Sequence, residues 1–438
     1  MNIALRPLYA GTVALARAAA ACAPTSEHKV WRSLRARRGI RAYWRAQARL
    51  RDPQRPLVWM HAPSVGEGLQ ARPVAHALRT AYPSAQLAYT FFSPSAESFA
   101  TSIGADLSGY LPFDSAADAD LMLDALQPSA LVFVKLDVWP VLVERATARG
   151  VPVLLLSATL AESSGRRGVL SQALLRDAYA SLTAVGAIDD AHGARLIQLG
   201  VRAERVTSTG DTRFDQVWQR AQSVDRARVH MTATGNGRPT VVAGSTWPAD
   251  EAVLLPAWEQ VRAKVPDARL LIAPHEPTAS HVQPLVDWAR AHHCRVATLG
   301  EMERDRSHQE VDVIVVDRVG VLGDLYAHAD VAYVGGGFHK AGLHSAIEPA
   351  AFGAPVVFGP GHHMSREAGL LLAVGGGTAV RDVETLRHAL VRLLRDETAR
   401  GEAGAAAREI VARERGSTAR SVALITSVLN SVSSAPAV

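Results

Sequence analysis

Short apolar runs alternate with helix-like stretches along most of this chain, and this alternation restricts the possible folds more than any other feature. From residue 57 the runs are LVWMHA, QLAYTFF, ALVFVKL and VPVLLLSA, and a second series continues with TVVAGS, ARLLIAP, CRVATLG, VDVIVVD, DVAYVGGG and APVVFGP. Continuous apolar runs separated by helices are typical of parallel strands that are covered on both faces. The sequence therefore predicts an α/β protein built from two doubly wound, Rossmann-like halves.

At 438 residues the chain is long enough for two domains of ordinary size. The polar residues 219–238 end in the turn-forming stretch TGNGRP, which favours a linker at this point. Two doubly wound halves joined by a linker are expected to face each other across a central cleft, where ligands of such folds bind. We predict an N-terminal arm, a first Rossmann-like domain, a linker, a second Rossmann-like domain, and C-terminal helices that pack back toward the first domain, at 1–55, 56–220, 221–238, 239–405 and 406–438.

Positive charge is concentrated at the N-terminus. Residues 1–55 carry twelve Lys and Arg against two acidic residues, although the net charge of the whole chain is only +5. Within this arm, the spacing of four arginines places them on one face of a predicted helix, with Tyr43 and Trp44 suited to an interface: Arg38, Arg41, Arg45 and Arg49. We expect the arm to contact an anionic membrane surface or an anionic acceptor, and we expect no nucleic acid partner.

The first 25 residues include LRPLYAGTVALARAAAACAP, which is apolar and rich in Ala but is interrupted by Arg6 and Arg17. A membrane span needs about 20 predominantly apolar residues, which this segment barely reaches. The pattern favours a monotopic segment that lies on a cytoplasmic leaflet. The alternatives are a true span, a signal peptide that ends in AAACA, and an ordinary first helix packed on the protein.

The stretch WMHAPSVGEGLQARPVAHAL indicates a strand, a tight loop and a helix. Two glycines flank Glu67, so the backbone can approach a ligand and the carboxylate can project from the loop as a base. The alternative is a first-turn Glu that complements the helix dipole. Lys135 and Asp137, in FVKLDVWP, end another strand and are predicted to face the same cleft. For Asp137 the alternative is a carboxylate at a helix N-terminus.

In the second half, VVAGSTWPADE places Ser245 and Thr246 between a strand and a helix. Free backbone N–H groups and two hydroxyls at this point suit a phosphate, and the alternative is an ordinary Ser/Thr helix cap. The stretch IAPHEPTASH ends another strand with His275 and Glu276, but the order is not H-E-x-x-H. Because the two cysteines also lie far apart in the sequence, we predict no metal site and no disulfide framework.

The stretch VGGGFHKAGLHSAIEPAAFGAPVVFGP combines a glycine turn with a dense group of polar residues before a helix. A glycine turn and a helix N-terminus can hold a phosphate, and a Glu one turn into the helix can accept both hydroxyls of a ribose. The alternative is a glycine turn that caps a helix, which does not explain the density of His, Lys and Glu. Neither the G-x-G-x-x-G nor the G-x-x-x-x-G-K-[ST] motif occurs, which disfavours dinucleotide and NTPase sites.

Several of these motifs occur together in a familiar order. HAPSVGEG, LDVWP, STGDTRFD, AGSTWPADE, DRVGVLGDLYAHADVAYVGGG and GLHSAIEPAAFGAPVVFGP resemble the bacterial 3-deoxy-D-manno-octulosonic acid (Kdo) transferases of lipopolysaccharide biosynthesis. The resemblance implies a glycosyltransferase of the GT-B type that moves Kdo from CMP-Kdo to a lipid A precursor, without a bound metal or other cofactor. It also implies a location at the cytoplasmic face of the inner membrane, either peripheral or anchored through the N-terminus.

The resemblance assigns the first domain to the acceptor and the second to the nucleotide-sugar donor. It implies that Glu67 takes the proton from the acceptor's sugar hydroxyl and that Glu348 holds the ribose of CMP. Displacement of CMP builds positive charge on the sugar and negative charge on the departing phosphate, so a carboxylate base and helix N-termini would serve both needs. The predicted catalytic residues are Glu67, Lys135 and Asp137, and the predicted donor-binding residues are Ser245, Thr246, His275, Glu276, Gly320, Gly335, Gly336, Gly337, His344, Ser345 and Glu348.

The chain departs from the family pattern at several of these positions. KLDVWP stands where an acidic E-T-E-L-W-P-like segment is common, and PHEPTASH replaces a more basic P-R-H-P-E-R-like segment. Ser345 stands where Asn is frequent, and Val321 where Glu is common. These departures affect the donor contacts more than the base. They leave two alternatives open, namely a GT-B enzyme that uses a UDP-sugar and a membrane-bound nucleotide-binding protein that has lost catalysis.

Overall fold

The computed structural model describes residues 1–433 except 27, 163, 236 and 306–309. The chain forms two compact units, of which the first comprises Met1–Asp215 and the chain from Arg415 onward, and the second comprises Gln216–Glu414. Each unit contains a seven-stranded sheet in which every pair of neighbouring strands is parallel. The predicted α/β fold with two Rossmann-like halves is confirmed.

The first unit begins with three helices and continues with alternating strands and helices. Its elements are α1 (Arg6–Cys22), α2 (Lys29–Arg35), α3 (Ile40–Gln47), β1 (Leu57–His61), α4 (Val65–Ala81), β2 (Gln86–Phe91), β3 (Leu107–Tyr110), α5 (Ala116–Leu126), β4 (Ala130–Val134), α6 (Pro140–Ala148), β5 (Val153–Ala158), α7 (Val169–Ala180), β6 (Ala184–Ala187), α8 (Asp190–Leu199), β7 (Val206–Ser208) and α9 (Thr212–Ser223), which continues into the second unit. The strand order is β3-β2-β1-β4-β5-β6-β7.

The second unit repeats this alternation. Its elements are α10 (Val229–Thr234), β8 (Thr240–Thr246), α11 (Pro248–Lys264), β9 (Arg269–Pro274), α12 (Ala279–Ala291), β10 (Val296–Thr298), α13 (Leu299–Arg304), β11 (Val313–Val315), α14 (Leu322–Leu325), β12 (Val331–Val334), α15 (Ile347–Ala351), β13 (Val356–Phe358), α16 (Arg366–Ala373), β14 (Gly377–Ala379), α17 (Val383–Arg395) and α18 (Glu397–Arg413). The strand order is β10-β11-β9-β8-β12-β13-β14. The last helix, α19 (Ser417–Ser433), belongs to the first unit and packs against α4.

Both faces of the central strands are buried, which explains why their sequences are apolar without interruption. In β1, Trp59 faces one hydrophobic core, where it lies with Trp44, and Met60 faces the other core, where it lies with Val74 of α4 and Ile425 of α19. Because successive side chains of a strand point to opposite faces, a strand covered by helices on both sides needs apolar residues at every position.

The topological switch point of each sheet, where the connections from two neighbouring strands run in opposite directions, lies between β1 and β4 in the first unit and between β8 and β12 in the second. Ligands of doubly wound sheets bind beyond the carboxyl ends of the strands at this switch point. Glu67, in the first turn of α4, follows β1, and Lys135 and Asp137 lie in the loop that follows β4. The residues that end or follow β8 and β12 include Thr246 and the glycine turn. Within each unit, the chain therefore brings its predicted site residues to the position where such folds bind ligands.

The segment expected to be an arm is packed on the first unit over much of its length. Trp44 is fully buried, and its indole Nε1 donates a hydrogen bond to the carbonyl of Tyr110 at 2.9 Å. The boundaries expected at 220 and 405 fall within α9 and α18, and the expected linker contains α10. Among the residues that the structure describes, no helix is both long and apolar enough to cross a membrane.

The four arginines predicted to share one helix face do not do so, and this prediction was wrong. Gly39 adopts a left-handed conformation with φ of 69° and stands immediately before α3, so Arg38 lies outside that helix. Arg49 lies beyond its C-terminal end, in a short 3₁₀ turn. Only Arg41 and Arg45 lie on α3 itself.

Candidate functional site

Glu67 lies in the first turn of α4, immediately beyond the carboxyl end of β1. The hydroxyl of Ser64 donates a hydrogen bond to its Oε2, and the Nζ of Lys135 lies 3.0 Å from its Oε1. The carboxylate side chain is 16% exposed, whereas Lys135 is 45% exposed. Because β1 and β4 are neighbours in the sheet, residues 68 positions apart in sequence meet at this edge. The position of Glu67 in the first turn of α4 fits the alternative of a carboxylate that complements the helix dipole. Its ion pair with Lys135, which follows β4, is not needed for that role.

Two opposing effects set the charge of Glu67. Burial raises the pKa of the carboxyl group, but the hydrogen bond from Ser64 and the positive charge of Lys135 outweigh burial and hold the pKa below its usual value. The group is therefore a carboxylate at neutral pH, which is the state that can accept a proton.

A buried tyrosine lies beside this carboxylate. The hydroxyl of Tyr89 has no hydrogen-bond partner among the described residues, and burial and the negative charge of Glu67 both raise its pKa. A Cβ atom at Gly68 would lie 2.6 Å from the ring of Phe99 and 3.0 Å from the Tyr89 hydroxyl. Gly68 therefore allows the close approach of α4 to these two rings, rather than giving a ligand room as the sequence suggested. Tyr89 is a neutral donor at the edge of the site.

Asp137 belongs to a network that the sequence did not reveal. His61, the last residue of β1, is fully buried, and its ring contacts Thr90 Oγ1 at 2.9 Å and Asp137 Oδ2 at 3.2 Å. The indole of Trp139 donates to the same carboxylate oxygen at 3.0 Å. Burial raises the pKa of Asp137, but the hydrogen bonds from His61 and Trp139 and the charge of Arg166 lower it below its ordinary value. A polar residue that closes an apolar run, as His61 does, is the signal that could have identified it.

The helix-start alternative for Asp137 does not hold, because another carboxylate takes that role. The backbone N–H groups of Val141 and Leu142 in the first turn of α6 donate to Asp114, at 3.0 and 2.8 Å. Asp137 instead bonds to His61 and Trp139. Lys135, two residues earlier, has φ of 69°, a left-handed conformation that is rare for a residue with a side chain and that tends to occur at functional sites.

In the second unit, Asp250 holds the glycine turn. This fully buried residue of α11 accepts hydrogen bonds from the backbone N–H of Gly336 at 2.8 Å, from that of Phe338 at 3.1 Å, and from the hydroxyl of Tyr333 at 3.2 Å. The backbone N–H of Gly335 donates to the carbonyl of Gly244 at 2.9 Å. Two amides of the turn predicted to hold a phosphate are thus already bonded within the protein.

Four aromatic side chains stack beside this turn. The indole of Trp247 stacks on His339 and on His275, with ring centroids 4.4 and 4.6 Å apart, and His275 stacks on His344 at 4.4 Å. The indole Nε1 of Trp247 donates to Nε2 of His344 at 3.0 Å. Burial, with contributions from the neighbouring imidazoles, lowers the pKa of His344 to about 4, so the ring is neutral at pH 7 and accepts this bond.

The predicted ribose contact, Glu348, lies in the first turn of the short helix α15. Burial raises the pKa of its carboxyl group, against the opposing effects of Arg220 and a hydrogen bond from Ser345. The phenol of Tyr326 is buried close to this carboxylate, whose negative charge adds to the effect of burial in raising the phenol's pKa. Neither Arg220 nor Tyr326 was predicted from sequence.

Several other predicted donor residues already form hydrogen bonds within the protein. The hydroxyl of Thr246 donates to Glu251 at 2.8 Å, and the carbonyl of Gly320 accepts from Arg220 at 3.4 Å. Ser245 has φ of 56°, so a non-glycine residue adopts the left-handed conformation here as Lys135 does in the first unit. Glu276 is exposed, and its carbonyl accepts a hydrogen bond from His281. Among the described residues, no group of three or more His, Cys, Asp or Glu side chains could hold a metal ion.

Comparison with known proteins identifies the family. The 3-deoxy-D-manno-octulosonic acid transferase of Bordetella pertussis is 34% identical over 396 residues, which cover 87% of this chain and 89% of the relative. The chain belongs to the Kdo transferase family. It is therefore a glycosyltransferase. The family model described as 3-Deoxy-D-manno-octulosonic-acid transferase (kdotransferase) matches residues 32–216.

Other similarities agree with this assignment. The 3-deoxy-D-manno-octulosonic acid transferase of Haemophilus influenzae is 27% identical over 375 residues, which cover 84% of this chain and 86% of the relative. A solved UDP-N-acetylglucosamine 2-epimerase shares the fold with a TM-score of 0.62 at 12% identity, over 87% of this chain and 97% of that chain. At that identity the likeness shows the two-domain α/β fold alone.

The structure divides the four arginines predicted to contact the acceptor or membrane of this Kdo transferase into two groups. The guanidinium of Arg38 donates to the carbonyls of Ala20 and Ala23 at the end of α1, and Nε of Arg41 donates to Asp118 at 2.6 Å. Arg45 and Arg49 are exposed and have no ion-pair partner among the described residues. Arg45 and Arg49 therefore present exposed side chains to solvent, whereas Arg38 and Arg41 are held by partners within the first unit.

Proposed function

We propose that this enzyme transfers Kdo from CMP-Kdo to a lipid A precursor by direct, inverting displacement, without a bound metal or other cofactor. The observation that carries the proposal is the charged, half-buried Glu67 at the switch point of the first sheet. The relatives' names support Kdo as the transferred sugar. We further propose that the first unit binds the acceptor and the second unit binds the donor.

In the proposed reaction, Glu67 accepts the proton of the attacking sugar hydroxyl while the oxygen of that hydroxyl bonds to the anomeric carbon of Kdo. The bond from that carbon to the phosphate oxygen breaks, and CMP leaves with the bonding electrons. Lys135 and Ser64 keep Glu67 ionised before the acceptor binds. When the acceptor hydroxyl takes the place of Lys135 at Oε1, the positive charge that lowers the pKa of Glu67 moves away. Glu67 then becomes a stronger base toward that hydroxyl.

For the donor, we propose that Glu348 accepts hydrogen bonds from the ribose hydroxyls, and that Tyr326 and Arg220 hold this carboxylate in place. The other residues predicted for the donor site remain candidates for contacts with CMP-Kdo. Asp250 acts through the glycine turn as a positioning residue, since its carboxylate accepts bonds from that turn. The rings of Trp247 and His275 stack on each other at the carboxyl ends of β8 and β9 and form an aromatic wall beside this turn.

We also propose that the enzyme lies on the cytoplasmic face of the inner membrane. The helix α1 presents Leu8 and Leu15, which are 63% and 72% exposed, on one face. Arg45 and Arg49 supply exposed positive charge in the same unit. Exposed apolar side chains with nearby basic residues suit the interface of an anionic leaflet, where apolar burial and electrostatic attraction add.

A transfer assay tests the proposed activity. Full-length enzyme is incubated with CMP-Kdo and a defined lipid A precursor, and the products are resolved by mass. We expect release of CMP and a product heavier by one or more Kdo residues. Absence of product above a control without enzyme would refute the activity and would favour a nucleotide-binding protein that has lost catalysis.

A thermal-shift experiment tests the nucleotide independently of turnover. A ligand present at 100 times its Kd stabilises the native state by about 2.7 kcal/mol, so CMP should raise the unfolding temperature measurably. We expect a larger shift with CMP or CTP than with UDP. A larger shift with UDP would remove the Kdo assignment and favour a UDP-sugar.

Vesicle sedimentation tests the membrane surface. Replacement of both Leu8 and Leu15 by Glu should reduce binding to anionic vesicles, because both side chains are exposed on α1 and their replacement leaves the core intact. The matched control is Ile197→Glu on α8, where an apolar side chain is 39% exposed. Unchanged sedimentation of the double variant, or equal loss in the control, would contradict the proposal.

A further inference from the structure

A groove of about 380 Å³ lies in the first unit between the end of α1 and the start of α3. We call it the basic groove and define it by Arg17, Arg38, Ile40, Arg41, Phe113 and Asp118. Its volume falls within the range of pockets that bind small molecules. The predicted catalytic residues Glu67, Lys135 and Asp137 do not line it.

The charges of the basic groove do not balance. Arg17 and Arg41 both form ion pairs with Asp118, whose side chain is only 3% exposed. Arg38 uses its guanidinium to hold the carbonyls of Ala20 and Ala23 and adds a third positive charge. The side chains of Arg17 and Arg41 remain 44% and 41% exposed. With Arg37, four arginines thus line the basic groove together with one carboxylate, and the forked N–H donors of arginine match phosphate oxygens.

A second groove of about 390 Å³ adjoins the first and shares Arg38 and Ile40 with it. Aromatic and aliphatic side chains, among them Tyr43, Phe91 and Tyr110, make up most of its lining, so we call it the apolar groove; the one carboxylate in the lining, Glu97, accepts a hydrogen bond from the Tyr110 hydroxyl at 3.2 Å. It follows β3, the edge strand of the sheet, where Tyr43 packs against the strand at Gly109. A basic groove next to an apolar groove is the arrangement expected for an amphiphile that carries a phosphate near a hydrocarbon chain.

The basic groove also lies beyond the carboxyl ends of the strands, the same end of the sheet at which Glu67 lies. Phe113 follows the carboxyl end of β3, as Glu67 follows that of β1 in the same parallel sheet. Arg37, which also lines the groove, stacks on Phe92 at 3.6 Å, and Phe92 packs against Trp139 with ring centroids 5.1 Å apart. Trp139 in turn donates to Asp137. Continuous side-chain packing therefore joins the groove to the network around Asp137.

We propose that the basic groove binds a phosphate group of the acylated sugar acceptor, with one of the acceptor's hydrocarbon chains in the apolar groove. The identity of the acceptor rests on the proposed function. Arg41 and Arg17 are the phosphate-binding residues, and Asp118 is a positioning residue that holds their guanidinium groups. This site would orient the acceptor along the sheet edge that carries Glu67.

The test compares two acceptors, a lipid A precursor with both phosphates and the same lipid after removal of its phosphates. In neutral detergent micelles we expect Arg41→Gln to raise KM for the phosphorylated acceptor by about 10- to 100-fold, the range for a hydrogen bond between charged groups. KM for the dephosphorylated acceptor and kcat for both acceptors should stay within about twofold. Arg41→Lys, which keeps the charge but loses the fork, should restore part of the difference.

The matched control is Arg202→Gln, which removes an exposed arginine from the same unit, outside both grooves and away from the residues proposed to contact the membrane. It should change neither KM. Unfolding temperatures of all variants show whether the fold survives, and Asp118 keeps Arg17 as a partner when Arg41 is replaced. An equal rise in KM for both acceptors, or no rise with Arg41→Gln, would overturn the proposal. So would an equal rise with Arg202→Gln, because the charge would then act through the surface as a whole.

Direct binding separates this proposal from the proposed function. If the wild-type enzyme catalyses no transfer, binding of the two lipids is measured in micelles without a donor. We expect tighter binding of the phosphorylated lipid and loss of this preference in Arg41→Gln. An equal affinity of the wild type for both lipids, or an unchanged preference in the variant, would refute the groove assignment independently of catalysis.

Discussion

Replacement of Glu67 by Gln is the most direct perturbation of the proposed chemistry. The amide has nearly the size of the carboxylate and keeps one oxygen that can accept the hydrogen bond from Ser64. It cannot accept a proton at neutral pH. The substitution therefore removes the proposed base while most of the local packing, including the contact of Gly68 with Phe99, is retained.

The contacts of Glu67 limit how much stability the variant can lose. The ion pair with Lys135 is open to solvent on one side, since Lys135 is 45% exposed, so its loss should cost about 0.2 to 1 kcal/mol. Conversion of the Ser64 bond from a charged to a neutral acceptor costs about 1 kcal/mol more, and removal of a half-buried charge offsets part of this sum. A net loss of about 1 kcal/mol corresponds to a fall in Tm of about 2 to 4 °C.

Loss of general-base catalysis should have a much larger effect on the rate. Removal of a general base lowers turnover by about 10²- to 10⁴-fold, which equals about 3 to 5 kcal/mol of activation free energy. The assay measures initial rates of CMP release at saturating acceptor, with the Kd for CMP and the Tm determined in parallel. We expect the large loss in kcat with little change in the Kd for CMP.

The matched control is Glu144→Gln, which removes an exposed ion pair with Arg6 in the same unit. It should lose similar stability and keep its turnover. Turnover of Glu67→Gln within about threefold of the wild type would refute the assignment of the base. A parallel loss in both variants would show that charge or stability, and not proton transfer, controls the rate.

Further predictions concern charged and titratable groups in each of the two units. Lys135→Met should raise the pKa of Glu67, because a positive charge that lowers this pKa is removed. The acidic limb of the pH profile of kcat/KM should therefore move to higher pH. An unmoved limb would contradict the role of Lys135. Glu348→Gln should raise the Kd for CMP, measured by calorimetry, by about 10- to 100-fold, because an amide forms weaker hydrogen bonds with the ribose hydroxyls. An unchanged Kd would remove Glu348 from the donor site. Trp247→Leu should raise the pKa of His344 from about 4 toward its ordinary value by reducing burial, and an unchanged NMR titration would contradict this cause. Burial and the charge of Arg269 lower the pKa of His328 to about 4, so the unfolded chain takes up a proton first as pH falls. The free energy of unfolding should therefore decrease as the pH falls from about 6.5 to 4. His328→Leu should recover about 1 kcal/mol of that loss, after allowance for solvent screening. An equal decrease in the variant would contradict this cause.

Local pattern was sufficient to predict the strands and the loops that follow them. A strand buried on both faces must be apolar at every position, and a parallel strand must be followed by a crossover, so LVWMH and ALVFV could be recognised without knowledge of their neighbours. The same reasoning placed Glu67 and Asp137 at strand ends. It failed for the basic arm, because the left-handed turn at Gly39 interrupts the helix that the arginine spacing suggested.

The sequence by itself determined the α/β class, the two sheets and the segments that carry polar residues at strand ends. Each of these depends on which positions are buried, and the apolar or polar pattern of a short stretch of chain is enough to indicate that. Only the tertiary structure decided which loops meet. The order of the strands placed β1 beside β4 and inserted β11 between β10 and β9, and neither neighbour relation follows from local periodicity. The contacts of Glu67 with Lys135, of His61 with Asp137 and of Asp250 with Gly336 join residues 68, 76 and 86 positions apart. Such contacts depend on the order in which strands pair, because this order sets which side chains come within hydrogen-bond distance.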